Sequence, residues 1–351
     1  MSRTLTTETS RIDSVFTGKG LKRDTVAYWA AVAALAVIGA LIGDSYLHHI
    51  FILVFIWCIV VASWDLILGY AGIFNYAQLV FFTFGAYGSA MLSVYAGVTP
   101  LLAIAAAAAI GAGIGVVVAV PTLRLKGEYV ALYTFAVHLA LLPLIQQGKA
   151  IGMGGNTGLL GIPWLNLLGH EVSPIDKMTW YWVALLFGSI CVYLIYFIIL
   201  RGRMGLAFIA MRDSNTFAQA IGVNEYKYRL LAFVASAAFT AVAGGLYAHY
   251  TTVVTPKVLG TEFFLMAMVM LAVGGMGRFP GAVLGVFVVV IGNELLRAFD
   301  DYRLFLLGVA VVVTVIFLPE GIVTLILRQR RRSRSKALES GLGRLRRWFR
   351  I

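Results

Sequence analysis

Long apolar runs separated by short polar segments divide most of the chain. A run of about 17 to 25 apolar residues crosses a hydrocarbon layer of roughly 30 Å as a helix, whereas a transmembrane β-barrel shows short alternating segments. The pattern therefore predicts an all-α, polytopic integral membrane protein with about ten transmembrane helices. The predicted spans are residues 26–43, 48–68, 74–96, 100–121, 128–146, 180–200, 229–250, 262–274, 281–297 and 304–325. The short eighth segment also fits a re-entrant segment.

The spans define a domain organisation of three parts. A polar tail, residues 1–24, precedes a transmembrane domain over 25–325, and a basic tail, 326–351, follows it. Within the domain, residues 201–228 form a long linker whose apolar positions are interrupted by an Arg-Asp-Ser-Asn group. This pattern predicts two short amphipathic helices, and either Asp213 or Ser214 caps the second.

Composition and charge agree with a membrane protein. The chain is 60% hydrophobic and 13% charged, with a mean hydropathy of +0.89. Its formal net charge is +12, and the tail from residue 326 carries ten Lys or Arg against one Glu. A basic tail behind a hydrophobic span indicates retention in the cytoplasm and attraction to anionic membrane lipid, and it gives no reason to expect nucleic acid. An even number of spans then places both termini in the cytoplasm.

Residues 68–92, "LGYAGIFNYAQLVFFTFGAYGSAML", combine membrane-helix hydropathy with helix-weakening and hydrogen-bonding residues. Gly69 and Gly72 each weaken a helix by about 1 kcal/mol relative to Ala, so they predict a break in the helix. A new helix that begins near Asn75 would direct its N-terminal N–H groups toward an incoming carboxylate, with Gln78 adding a second polar side chain. The alternative is an ordinary loop between two spans with Asn75 as its cap.

Few ionisable side chains fall inside the spans. They are Asp65, His138, His249, Glu294 and Arg297. Intramembrane charges often serve transport, but most of these lie near span ends, where water is within reach. Asp65 is the exception, and its alternatives are a substrate or gating role, helix capping, or a hydrogen bond between spans.

Motifs for catalysis and nucleotide binding are missing from the sequence. It contains no GxxxxGK[ST], HExxH or GxSxG pattern and no cysteine-histidine cluster. We therefore expect no catalytic residue, no metal and no cofactor. Any step driven by ATP requires another polypeptide, and a membrane enzyme is the least favoured class.

Five ordered blocks of sequence resemble a known family over about residues 50 to 325. They are "GYAGIFNYAQLVFFTFGAY", "LRLKGEYVALYTFA", "GGNTGLLGIP", the segment from "GLAFIAMRDSN" to "GGLYAHY", and "GGMGRFPGAVLG" with "LPEGI". Together they resemble the LivM-type permeases of branched-chain amino acid ABC importers. The first block keeps the Gly-Tyr-Ala-Gly start and the Phe-Phe pair of the family's "GYAGxxSLGxxAFFGxGAY".

The resemblance implies a pore subunit in the bacterial inner membrane. Its implied partners are a second homologous permease, two cytoplasmic ATP-binding subunits and an extracytoplasmic substrate-binding protein. We expect the substrate pathway to include Asp65, Gly69, Gly72, Asn75, Gln78 and Thr134. The residues expected to couple the pore to the ATPases are Arg203, Arg212, Phe217, Gln219, Ala220 and Gly222. The coupling helix itself is expected over residues 217–222.

Departures from the family pattern bear on the substrate. Ile73 stands where a polar residue is frequent, Ala77 where Gly is usual, and Gln219 where the family carries an acidic residue. A branched-chain or other apolar amino acid is the first expectation, and urea or a short amide is the alternative. The alternative function is an ion-coupled secondary transporter or channel, with Asp65 and Glu294 as the coupling groups.

Overall fold

The computed structural model describes residues 18–125, 127–167 and 170–295, together with 308–309 and 321. The predicted basic tail 326–351, almost all of the predicted span 304–325, most of the N-terminal tail and Arg297 lie outside the described residues. The described part is mostly helical, as the sequence predicts.

Eleven α-helices form the described part of the chain. They are α1 (Gly18–Leu41), α2 (Ser45–Asp65), α3 (Gln78–Ala96), α4 (Pro100–Thr122), α5 (Glu128–Gln147), α6 (Lys177–Tyr193), α7 (Arg203–Asp213), α8 (Asn215–Ala220), α9 (Glu225–Thr251), α10 (Thr261–Gly274) and α11 (Gly281–Leu295). Two of them continue as π-helical turns, α2 through Leu66–Tyr70 and α6 through Leu194–Ile199.

The predicted spans 1 to 9 each coincide with one helix. Seven helices are long and apolar enough to cross a membrane, namely α1 to α6 and α9, while α10 and α11 are shorter apolar helices. A multi-pass helical membrane protein is therefore confirmed, whereas the count of about ten spans is not.

Four short strands appear in the described residues, although the sequence analysis predicts no strand. β1 (Leu159–Leu160) pairs antiparallel with β4 (Val253–Val254), and β2 (Leu165–Leu167) pairs with β3 (His170–Val172). Strands of two or three residues are too short to produce a recognisable alternation of polar and apolar positions. Pairing with β4 fixes the segment between α5 and α6 against the end of α9.

Close helix packing centres on α2 and α9. All residues of 54–67 are buried, as expected for a helix that is apolar all round. α9 lies along α3 and α4, and glycines bring the backbones together, since a Cβ atom on Gly85 or Gly111 would overlap Ala241. Small residues thus allow close packing of the core helices.

Different elements meet at the two ends of the helix bundle. At the first, which we call the linker end, the α7–α8 linker gathers with the starts of α5 and α9 and with residues 71–74. At the second, which we call the strand end, Lys177 at the start of α6 donates to the Tyr250 hydroxyl near the end of α9 (3.1 Å). The non-helical segment 71–77 between α2 and α3 therefore lies at the linker end.

Valine substitutions at two glycines of α4 test this packing. Gly111 faces α9, where an added Cβ would overlap Ala241 and lie 2.6 Å from the Ala237 carbonyl oxygen. Gly113 has no neighbouring atom within 4 Å of the same position, so Gly113→Val is the matched control. We expect Gly111→Val to destabilise the protein by about 1–3 kcal/mol through overpacking and Gly113→Val to leave it unchanged. Thermal unfolding in detergent measures both, and equal midpoints would contradict the packing.

Candidate functional site

The predicted break between two membrane helices is present. Helix α2 gives way to the π-helical turn Leu66–Tyr70, residues 71–77 are not helical, and α3 begins at Gln78. The new helix thus starts three residues later than the predicted start near Asn75. The amide of Ala71 donates to the Leu66 carbonyl (3.0 Å), which closes the wide turn. Gly72 has φ = +68°, a left-handed conformation that glycine adopts without strain.

A buried polar network fixes the start of α3. Gln78 is fully buried, and its Nε2 donates to the hydroxyls of Ser63 (3.1 Å) and Thr240. The Ser236 hydroxyl donates to Gln78 Oε1 (3.1 Å), as does Asn75 Nδ2 (3.3 Å). Because Ser63 belongs to α2 and the other two hydroxyls to α9, the network ties three helices together beside the break.

Side chains also satisfy the backbone of the break. The indole of Trp64 donates to the Asn75 carbonyl (2.7 Å), and the Tyr76 amide donates to the Thr134 hydroxyl (3.0 Å). Asn75 Oδ1 accepts from the amide of Ala77 (3.0 Å). Asn75 therefore stabilises the turn before α3, and it does not cap the first turn of the helix. It is fully buried, as are Gln78 and Thr134.

Asp65 joins three elements at the end of α2. Its Oδ1 accepts from the amide of Gly277 in the loop between α10 and α11 (2.6 Å), and its Oδ2 accepts from the Tyr196 hydroxyl at the end of α6 (2.9 Å). A Cβ on Gly69 would overlap both the Asp65 carboxylate and the Gly277 amide. Of the predicted alternatives, the structure shows the hydrogen bond between spans. A substrate or gating role for Asp65 stays a prediction.

Arg212 connects the linker to the break. It lies in the last turn of α7, and its Nη1 donates to the Gly69 carbonyl (2.9 Å) while its Nε contacts Asp213 (3.3 Å). Its aliphatic stem covers Gly72, where a Cβ would lie 2.6 Å from Arg212 Cγ. The predicted coupling residue and the predicted pathway residues are thus in direct contact.

The linker folds as the two short helices that the sequence predicts. The Ser214 hydroxyl accepts from the Phe217 amide (3.3 Å), so Ser214 is the cap and Asp213 is not. The second helix spans Asn215–Ala220, slightly earlier than the predicted range 217–222. Gly222 follows it with φ = +87°, which turns the chain toward α9.

Two large apolar side chains are exposed at the second linker helix. Phe217 within α8 is 64% exposed and Ile221, which directly follows α8, is 59% exposed, whereas Ala218 is buried. Gln219 holds the helix against α9, because its Nε2 donates to Glu225 Oε2 (2.6 Å). Ala220 is exposed beside Phe217, and Arg203 is exposed at the start of α7.

An open cleft of about 370 Å³ lies between the break and the linker, beside the contact that Arg212 makes. Its walls are residues 71–74, the start of α5, the end of α7 and the start of α9. Arg229 lines this cleft. It forms an ion pair with Glu225 (2.7 Å) and donates to the Thr122 and Leu125 carbonyls. Space is therefore available for relative movement of the linker and the break.

The other ionisable residues noted in the spans, His249, Glu294 and His138, have different partners from Asp65. His249 lies between the Ser89 hydroxyl (3.0 Å) and the Pro163 carbonyl (3.0 Å), so it joins helices at the strand end. Glu294 accepts from the Tyr46 hydroxyl. The Nδ1 of buried His138 has no hydrogen-bond partner among the described residues, and its ring packs on Phe264.

Several residues of the site were not predicted from the sequence. Ser236 and Thr240 are four apart in an otherwise apolar helix, which places them on one face and was a usable signal. Tyr196 and Gly277 give no local signal, because their partner Asp65 is distant in the sequence and only the fold brings them together. Trp64 is near its partner Asn75 in the sequence, but nothing in the sequence pattern marks their bond.

The Thr134 hydroxyl offers a local test of the break. Thr134→Val keeps the shape of the side chain but leaves the partly buried Tyr76 amide without its acceptor, at a cost of about 1 kcal/mol. Thr134→Ser keeps the hydroxyl and is the matched control. We expect a lower midpoint of thermal unfolding for the valine variant alone. A valine variant as stable as the wild type would show that the bond does not hold the loop.

Comparison with known proteins gives consistent matches. A family model described as the permease component of branched-chain amino acid transport systems matches residues 46–315. The high-affinity branched-chain amino acid permease protein LivM of Escherichia coli K12 is 29% identical over 74% of this chain and 63% of its own length, and LivM of Salmonella typhimurium gives the same values. A probable LivH permease protein of Methanocaldococcus jannaschii is 24% identical over 63% of this chain and 71% of its own length.

No solved structure gives a significant match. The chain covers 63% of the length of the LivM proteins, so part of those relatives has no counterpart in the alignment. The family model nevertheless covers more than half of the chain, and its span includes both the break and the linker. The chain therefore belongs to the permease family of branched-chain amino acid transport systems.

Proposed function

We propose that the chain is a membrane-spanning subunit of an ABC importer that moves branched-chain or other apolar amino acids across the bacterial inner membrane. The observation that carries the proposal is the direct contact between a broken membrane helix and a linker with an exposed apolar helix. The sequence has no nucleotide-binding motif, so separate ATP-binding subunits supply the energy. A second permease subunit and an extracytoplasmic binding protein complete the importer.

Helix α8 is the proposed contact to the ATPase. Phe217 is exposed on this short helix and Ile221 directly after it, and apolar side chains presented in this way bury themselves in a groove of a partner. Arg203 is exposed in the first turn of α7, where its positive charge orients a partner with an acidic rim, whereas Arg212 in the last turn couples the linker to the break. Gly222 permits the turn that presents α8.

The linker end is the proposed cytoplasmic end. The basic residues at this end outnumber those at the strand end, as the positive-inside rule requires for cytoplasmic loops. They are Arg124, Arg201, Arg203, Arg212, Lys227, Arg229 and Arg278. Both termini are then cytoplasmic if ten spans are present, with the transmembrane domain over 25–325 between the tails 1–24 and 326–351.

The break is the proposed gate of the substrate pathway. Asp65, Asn75 and Gln78 are fully buried and bonded within the chain. Gly69, Gly72 and Thr134 adjoin them at the same segment. In this conformation the polar groups satisfy one another, so passage of a solute requires that some of these bonds exchange for bonds to the substrate or to water.

Reconstitution tests the proposed function. Proteoliposomes that contain the chain, its partner permease and the ATPases, with binding protein outside, are expected to accumulate labelled leucine only when ATP is inside. Urea tested in the same assay distinguishes the alternative substrate. Leucine uptake by the chain alone under an ion gradient would contradict the proposal and support a secondary transporter.

The role of α8 has a separate test. Phe217→Asp places a charge on the proposed apolar contact, and we expect at least about a tenfold loss of ATPase co-purification, since buried aromatic anchors contribute about 2 kcal/mol or more. Ile175→Asp is the matched control, because Ile175 is 85% exposed and precedes α6, whereas the linker follows the other end of that helix. Equal co-purification of both variants would exclude α8 as the docking helix.

A further inference from the structure

Arg212 has a structural position that differs from that of an ordinary surface arginine. We propose that Arg212 is a positioning residue that transmits movement of the α7–α8 linker to the break at Gly69–Gly72, and that it is not a contact to the ATPase. The proposal rests on the proposed function, because it describes how the coupling linker of a permease acts on its gate.

The break leaves the Gly69 carbonyl without its helical donor, and Arg212 donates to it instead. In an uninterrupted α-helix the Gly69 carbonyl would accept from the amide of Ile73. Here the Ile73 amide donates to the Ile67 carbonyl instead (3.0 Å), and Gly69 O accepts from Arg212 Nη1 (2.9 Å). The guanidinium therefore replaces a helical bond at the point where α2 ends. A hydrogen bond with a charged donor is stronger than a neutral one.

Two glycines form a slot around the Arg212 side chain. A Cβ on Gly72 would lie 2.6 Å from Arg212 Cγ, and a Cβ on Gly277 would lie 2.8 Å from Arg212 Nη1. Both glycines have positive φ angles, +68° and +70°. Any larger residue at either position would displace the arginine, so the side chain occupies a place that the backbone is shaped to leave open.

Gly277 connects the Arg212 slot to the buried carboxylate of Asp65. Gly277, which borders Arg212, donates its amide to Asp65, and Asp65 also accepts from Tyr196. A shift of Arg212 therefore acts on Gly69, on Gly277 and, through Gly277, on the end of α2. Packed elements of this kind move as units between discrete arrangements.

Arg203 provides the contrast within the same helix. It is exposed in the first turn of α7 and makes no hydrogen bond or ion pair with the described residues. Arg203 is therefore available to a partner protein. Arg212 has one guanidinium nitrogen on Gly69 and another on Asp213, and its stem is packed between the linker and the break.

The test compares arginine-to-methionine variants in the complete reconstituted importer. Arg212→Met keeps the stem and removes the donor. We expect ATPase co-purification and ATP hydrolysis within about twofold of wild type, but leucine uptake per ATP reduced at least about tenfold, as the loss of one charge-assisted bond predicts. Arg124→Met, at an exposed arginine of the same end, is the control and should leave all three values unchanged. Arg203→Met should lower co-purification instead.

A second measurement uses the wild-type complex, so it does not depend on the folding of a variant. Hydrogen exchange is followed at the backbone amides of residues 66–77, with the complex either free of nucleotide or trapped with ADP and vanadate. We expect exchange in this segment to increase on trapping, because displacement of the linker pulls on Gly69.

Four results distinguish failure of this inference from failure of the proposed function. Loss of co-purification in Arg212→Met would make Arg212 an ATPase contact and overturn the inference while the proposed function stands. Unchanged uptake per ATP in that variant, or unchanged exchange at 66–77 on trapping, would also overturn it. Absence of ATP-driven uptake by the wild-type complex would overturn the proposed function itself.

Discussion

Hydrogen-bond satisfaction of the broken helix is the constraint on which the structure depends. Inside a hydrocarbon layer water does not compensate a free N–H or C=O group, and each unsatisfied group costs several kcal/mol. Residues 66–77 leave the α-helical pattern, so other parts of the chain must supply their partners. Trp64, Thr134 and Arg212 bind backbone groups of the break directly, and they come from three different helices.

The same bonds explain why a transport protein would place a break there. An intact helix is rigid, whereas a segment whose backbone is bonded to side chains changes conformation when those side chains move. The partners lie on α2, on α5 and on the linker, so the linker is bonded directly to the break. The break is thus bonded both to the packed core and to the linker, whose exposed apolar side chains are available to a partner protein.

The sequence predicts the helical architecture well because membrane helices are recognised by length and hydropathy alone. It also predicts the break, since Gly69 and Gly72 are local signals, and the two linker helices, although it leaves the cap of the second open between Asp213 and Ser214. It misses the strands β1 to β4 and the residues that complete the site, Tyr196, Gly277 and Trp64. The roles of Tyr196 and Gly277 depend on contacts between distant segments, and no local pattern encodes such contacts.

The central claim is that the buried polar groups of the break control the path of the substrate. The most direct test is ATP-driven leucine uptake by a complex in which Asn75 and Gln78 are both replaced by leucine. The double variant keeps the volume of the two side chains but removes their bonds to Ala77, Ser63 and Thr240. The account predicts that the folded, assembled variant binds its ATPases and loses uptake by at least about tenfold. Uptake at the wild-type rate would contradict it.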